Sequence, residues 1–205
     1  MKRPVLPMKR QVRRAVVLAI DPGTSFGWAV WSVGDELLGV RLRPAPAGSV
    51  WPDEPWPLVL VAAGAADLTP PPNEPGYRWA RARDVLDTLS ERYRPTVYAL
   101  EDVRRHAGTH AAHVYGGLRA SIELAAWERS CRVIGVPVQH GKLVLAGRGD
   151  ASKADVARAA RELSGVDVGS DTADAIAIGR AAVGYLVSGP PPAAVHRRGG
   201  SAPGR

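Results

Sequence analysis

The chain has 205 residues but only one cysteine, one phenylalanine and no apolar run long enough to cross a bilayer. A lone thiol, Cys131, cannot close an intrachain disulfide, so a disulfide-stapled secreted scaffold is excluded and a reducing compartment fits. A transmembrane helix would need about 20 consecutive apolar residues, and with none present no membrane partner is expected. Nor does the start read as a secretory signal. Only six apolar residues, Ala15 to Ile20, separate the basic N-terminus from Asp21, and no small-residue cleavage site follows. The expected location is the cytoplasm.

Acid is missing from both ends. Residues 1–14 hold Lys2, Arg3, Lys9, Arg10, Arg13 and Arg14 with no Asp or Glu, and residues 189–205 hold Arg197, Arg198 and Arg205, again without acid. These ends contribute +6 and +3 to a whole-chain charge of +7, so the body between them stands at −2. Basic arms attract polyanions over long range, and Arg13 and Arg14, adjoining the body, are candidate nucleic-acid contacts. A solvated tail that only aids solubility would carry the same charge. The expected organisation is a basic arm at 1–14, one domain at 15–188 and a disordered Pro/Gly/Arg tail at 189–205.

Within the body, 15–21 reads as a buried strand and Pro22 to Gly27 as a turn in which Gly23 and Gly27 permit positive φ. Residues 28–33 and 37–42 predict the next two strands, with Gly34-Asp35 as the hairpin between them. The stretch 44–76, rich in proline and glycine and holding Trp51 and Trp56, reads as an insertion with at most one extra strand from Leu58 to Ala63. The pattern then predicts a helix over 77–93, a strand over 96–102 and a helix over 113–131. A strand over 133–138 follows, placed near an edge by Gly135 and Pro137. Ser152 with Asp155 signals a capping box for a third helix, and Ser170 the cap of a last one reaching about 187. The expected fold class is α/β: a mixed five-stranded sheet, three antiparallel strands then two parallel, flanked by helices.

Four acids stand out against this plan. Asp21 ends the apolar run Ala15 to Ile20, Glu101 ends Val97-Tyr98-Ala99-Leu100, and Asp171 and Asp174 open the last helix. A carboxylate at the end of an apolar strand is costly to bury unpaired, so these placements call for a shared cation, and hard divalent metals take oxygen ligands of this kind. Asp171 and Asp174 are three apart, on one helical face, in a first turn whose dipole favours their ionised form. Asp102 points to the face opposite Glu101, so Glu101 is preferred as ligand. Binding two divalent ions would move the body from −2 to +2, easing the approach of a polyanion. Each acid also has a plain structural reading: Asp21 as a turn former and Asp171 as a dipole partner.

Three further features invite chemistry. Arg104, Arg105 and His106 follow Glu101 and suggest a DNA-facing loop with the arginines on phosphate. His106, His110 and His113 have a spacing seen in some zinc sites, but no cysteine or fourth ligand lies near. The run from Lys142 to Lys153 places Gly147-Arg148-Gly149 between two lysines; alone, a Gly-x-Gly that could cradle a phosphate is a weak signal.

Ile20-Asp21-Pro22-Gly23-Thr24, Ala99-Leu100-Glu101-Asp102, Lys142 to Lys153 with its Gly-x-Gly, and Asp171 to Ile178 occur in the order in which the RuvC family of Holliday-junction resolvases carries them. Over about 15–187 the chain resembles that family, including its short phage-type members with basic ends. The resemblance implies an RNase H-like fold and a crossover junction endodeoxyribonuclease. Such an enzyme would resolve four-way junctions by paired symmetric nicks through two-metal hydrolysis of phosphodiester bonds. It also implies that Asp21, Glu101, Asp171 and Asp174 bind two Mg2+ or Mn2+ ions; the central place of Asp21 in the sheet makes it the expected bridging ligand. Lys142 and Lys153 would contact the DNA backbone near the scissile phosphate, with Arg148 a further DNA contact. A homodimer follows from the family and from the symmetry of the substrate, with helix 113–131 as candidate interface. The location implied is the cytoplasm of a bacterium or a phage-infected cell, and the sequence names no branch-migration motor. One departure is visible: where the family commonly has a phenylalanine soon after the catalytic glutamate, this chain has Val103-Arg104-Arg105, and its only phenylalanine is Phe26.

Competing readings belong to other classes. A nuclease of the same fold could cut flaps or other branches. A non-catalytic junction-binding module could use the carboxylates only to hold metal or stabilise turns. Asp21-x-Gly23-Thr24 also resembles the phosphate loop of actin-like ATPases and sugar kinases, which need a duplicated domain that 205 residues leave little room for.

Overall fold

The computed structural model describes residues 15–34, 40–41, 58–74, 76–104, 106 and 108–188. Five long strands form the centre of the sheet: β1 (Ala15–Asp21), β2 (Ser25–Val33), β4 (Leu58–Asp67), β5 (Val97–Asp102) and β6 (Arg132–Pro137). The two-residue β3 (Val40–Arg41) is added at one edge, giving the order β3-β4-β2-β1-β5-β6. β1, β2 and β4 are antiparallel neighbours, while β5 runs parallel to β1 and β6 parallel to β5. This is the expected mixed sheet, with β6 at an edge as its Gly135 and Pro137 suggest.

One strand assignment is corrected. The third antiparallel strand comes from inside the expected insertion: β4 pairs along β2, and β3 pairs with β4 rather than closing a hairpin on β2. The signal was weak because Val61-Ala62-Ala63-Gly64-Ala65-Ala66 has few β-branched residues. The pairing explains that composition. A Cβ at Gly64 would sit 2.7 Å from the Trp28 ring, so the small residues of β4 make room for a tryptophan across the ladder. The basic arm, the tail, Trp51, Trp56, Arg13, Arg14 and Arg105 lie outside the described residues.

The alternation of β1 and β5 sorts the core into two layers. Val17, Ala19, Val97 and Ala99 face one side, where they meet α4 (Lys153–Ser164) and α5 (Ser170–Ser188). Leu18, Ile20, Tyr98 and Leu100 face the other, against α1 (Tyr77–Tyr93) and α2 (Thr109–Glu128). Each layer buries a full set of aliphatic side chains at about 1.5–3 kcal/mol apiece relative to exposure. α1 matches its expected bounds. α2 starts four residues earlier than expected, and α3 (Val138–Ala146) is an added helix within a stretch read only for its lysine and glycines. Gly141 of α3 faces α5, where a Cβ would make ordinary contact with Ala177 at 3.6 Å.

α5 is seated on the sheet at two points. A Cβ on Gly27 would fall 2.1 Å from the Asp171 carbonyl oxygen, and one on Gly179 would fall 2.3 Å from the Trp31 ring. Gly27 is therefore required for close approach. Neither it nor Gly23 has positive φ, and the turn is shorter than expected because β2 already starts at Ser25. Ser170 is likewise the first helical residue rather than the cap: the Ala173 N–H donates to the Gly169 carbonyl at 3.0 Å.

Candidate active site

The two-residue period that builds the core also aims the acids. Asp21 continues the odd-numbered face of β1, and Glu101 that of β5, so both belong to the layer covered by α5. β1 and β5 are parallel neighbours paired up to Ile20 and Leu100, which brings the two carboxylates to the same end of the sheet. The Gly27–Asp171 contact lays the first turn of α5 across the β2 position opposite Asp21, and Asp171 and Asp174 enter from there. Sequence reasoning assigned no such role to Gly27; the only signal was a glycine two residues into β2, opposite an acid.

Electrostatics place these groups in one field. The Asp21 carboxyl is pushed up to about 8, first by desolvation and then by the negative charges of Glu101, Asp174 and Asp171, with Lys153 partly opposing. Burial, then Asp174, pushes Glu101 up against the pull of Lys142 and Lys153. Asp174 is also raised by burial, with Lys153 and Lys142 lowering it and Asp171 raising it. Four acids and two lysines from β1, β5, α3, α4 and α5 thus interact across one cleft.

The lysines reach it by different routes. Lys142, half-buried on α3, donates Nζ to the Ala151 carbonyl at 2.9 Å and so ties down the Gly147–Gly149 turn. That turn ends α3 with Gly147 at φ +79. Lys153 is exposed at the start of α4, inside the expected capping box: Asp155 N–H donates to Ser152 Oγ at 3.2 Å, and Ser152 N–H to Asp155 Oδ2 at 3.2 Å. Arg148 is exposed and pairs with Asp155 at 3.2 Å.

The segment after Glu101 lies on the other side of the sheet. Asp102 faces the α1/α2 layer and is held by Arg119 at 3.1 Å and by exposed Arg104 at 3.7 Å. His106 rests against the Tyr115 ring, with centroids 4.8 Å apart. His110 and His113 are exposed on the first turns of α2, apart from the carboxylate cleft.

Carboxylates that raise each other's proton affinity are the donor set a hard divalent cation relieves, so the site's chemistry fits such ions. Among the described residues no three His, Cys, Asp or Glu side chains are yet gathered into a set that could hold one. The four carboxylates share a field without closing on a point.

A sequence model described as "Crossover junction endodeoxyribonuclease RuvC" matches residues 62–182, more than half of the chain. The chain belongs to the RuvC family. RuvC from Thermus thermophilus is similar at 26% identity and TM-score 0.62, over 83% of this chain and 95% of that one. T. thermophilus RuvC in complex with a Holliday junction substrate gives TM-score 0.65 at 26% identity, over 85% and 96%. The yeast mitochondrial Holliday junction resolvase Ydc2 shares the fold alone, at 14% identity and TM-score 0.51, over 87% of this chain and 79% of that one. No curated protein sequence matches at a significant level. The RuvC match and the RNase H-like sheet make this chain a crossover junction endodeoxyribonuclease of a metal-dependent family. Among the described residues no helix is long and apolar enough to cross a membrane.

Proposed function

We propose that the chain is a homodimeric, cytoplasmic resolvase that cuts four-way DNA junctions by paired symmetric nicks. In this reading Asp21, Glu101, Asp171 and Asp174 hold two divalent ions, magnesium or manganese. The observation that carries it is the shared field of these acids with Lys142 and Lys153, in a chain of the RuvC family. When bound, the ions supply activation of the attacking water and stabilisation of the leaving 3′ oxygen.

The protein's own groups do the rest. Asp21, in the middle of the sheet, would serve as the ligand common to both ions. Glu101 and Asp174 would flank it, with Asp171 entering from the first turn of α5. Lys153, exposed at the mouth of the cleft, meets the phosphate backbone, and Lys142 holds the turn that carries Arg148 to it. Arg104 and His106 extend the basic contacts along the DNA, together with Arg105, Arg13 and Arg14 from outside the described residues.

Two active sites are needed for two symmetric cuts. α2 offers the face for a second copy: His113, Gly116, Ala120, Leu124 and Trp127 lie along one exposed stripe, and Trp127 is 77% exposed. A large exposed indole beside an exposed leucine is the kind of apolar surface that association buries.

A second reading is cutting of flaps or other branches by the same site, favoured by Val103-Arg104-Arg105 after Glu101, where no aromatic side chain is available to part bases. Incubating the protein with labelled four-way junction, flap and linear duplex, each with magnesium, manganese or EDTA, separates the two. Paired nicks on the junction that EDTA abolishes support the resolvase. Cutting confined to flaps supports the second reading, and no cutting on any substrate refutes both.

A further inference from the structure

The end of β5 is held from outside the cleft. The β1 ladder stops at the Ile20–Leu100 pair, and on the other side β6 ends with Pro137 opposite Asp102, where proline has no N–H to give. Glu101 therefore sits where the sheet is running out of backbone partners. Tyr115, buried at the seventh residue of α2, replaces them. Its hydroxyl donates to the Glu101 carbonyl at 2.6 Å and accepts from the Val103 N–H at 3.2 Å, bridging the backbone on both sides of Asp102. Arg119, one turn further along α2, reaches the same hydroxyl at 3.5 Å and donates to Asp102 Oδ1 at 3.1 Å. Glu123 in turn fixes Arg119 through a 2.8 Å contact to Nε, and the His106 ring covers the Tyr115 ring.

We infer that Tyr115, backed by Arg119, is a positioning residue for the cleavage reaction, latching the end of β5 so that Glu101 faces Asp21 and Asp174. The inference rests on the proposal that Glu101 is a metal ligand and adds what holds it there. Adjacent residues on a strand point to opposite faces, so a firm hold on Asp102 and on the flanking backbone fixes the direction of Glu101. Without the hydroxyl, the Glu101 carbonyl and Val103 N–H each lose a hydrogen bond, and the strand end is held less firmly. Groups that orient a metal ligand from behind typically affect metal affinity or activity by about 10–100-fold.

The test is a metal titration of junction cleavage on the full chain, comparing wild type with Tyr115→Phe, Tyr98→Phe and Glu101→Gln. Tyr115→Phe keeps the ring and its packing and removes only the latch. Tyr98→Phe removes another buried tyrosine hydroxyl, the one bonded to Ser90, on the α1 side away from the cleft. The expected result is a half-saturating magnesium concentration raised about ten-fold or more in Tyr115→Phe, with junction binding in EDTA unchanged. Tyr98→Phe should titrate like wild type even if it melts lower. Overlapping titration curves for Tyr115→Phe and wild type would overturn the inference, as would an equal rise in Tyr98→Phe, which would mark a general loss of stability. Glu101→Gln should be inactive. Its cleavage at the wild-type rate would overturn the ligand reading itself, a failure distinct from that of the latch.

Discussion

Replacing Asp21 by asparagine should make the metal-free protein more stable while abolishing cleavage. The folded protein raises this carboxyl from an ordinary 3.8 to about 8. Between those values the native state keeps a proton that the unfolded chain has released. Its stabilising share is thus complete below about pH 4 and is lost as pH rises through about 8. At about 1.4 kcal/mol per pH unit, the loss has a ceiling of about 5 kcal/mol at pH 8 and about 2 kcal/mol at pH 5. The neutral amide of the Asp21→Asn protein would carry no such charge. Realising even about 2 kcal/mol at pH 8 would raise Tm by about 4–8 °C for a domain of this size. Thermal unfolding of both proteins in EDTA at pH 5 and pH 8 measures this directly. The gap should widen with pH and narrow when magnesium is added, because an ion at 100 times its Kd stabilises the wild type by about 2.7 kcal/mol and has lost a ligand in the variant. Junction binding should survive. An Asp21→Asn protein that melts at or below wild type at pH 8 in EDTA, or a gap that does not change with pH, would refute the crowded-carboxylate account.

Other perturbations follow from the same geometry. Gly27→Ala places a methyl 2.1 Å from the Asp171 carbonyl and should push the first turn of α5 away from Asp21. Overpacking of this kind costs about 1–3 kcal/mol, and an acid displaced by about 1 Å costs about 100-fold in rate, read by melting and single-turnover cleavage. Trp127→Asp should shift the protein from dimer to monomer in light scattering while leaving its circular dichroism intact. Deleting residues 1–14 removes six positive charges and should weaken junction binding. The salt dependence of log Kd should also flatten, by at most about five in slope, and an unchanged slope would remove the arm from the interface.

Much of the site was legible because it depends on strand parity and on the order of motifs. Alternation alone set Asp102 opposite Glu101, and the strand-end positions of Asp21 and Glu101 suggested that they are neighbours; that they share a face needed the β1–β5 register. Ser152 and Asp155 were legible because a capping box is local chemistry. What escaped depends on contacts between distant segments. β4 pairs with β2 across a proline-rich stretch, so local hairpin signals pointed to the wrong partner. Gly27 looks like a turn glycine until α5 is laid against it, and Tyr115 looks like an ordinary buried aromatic until its hydroxyl is seen on the Glu101 carbonyl. Arg104 was expected on phosphate, and the structure shows it within ion-pair distance of Asp102.

The two glycine seats under α5 have a mechanical consequence. With Asp171 packed on Gly27 and Gly179 packed on Trp31, the helix lies so close to the sheet at both points that a side chain at either glycine would clash. Half of the carboxylates therefore ride on a helix seated tightly against the sheet. Whatever adjustment gathers the four acids round a ligand must come from side-chain rotation or from the opposite wall at the start of α4, since Tyr115 and Arg119 hold the end of β5. Cleavage-deficient variants that still fold should then concentrate along that adjustable wall rather than in the middle of α5.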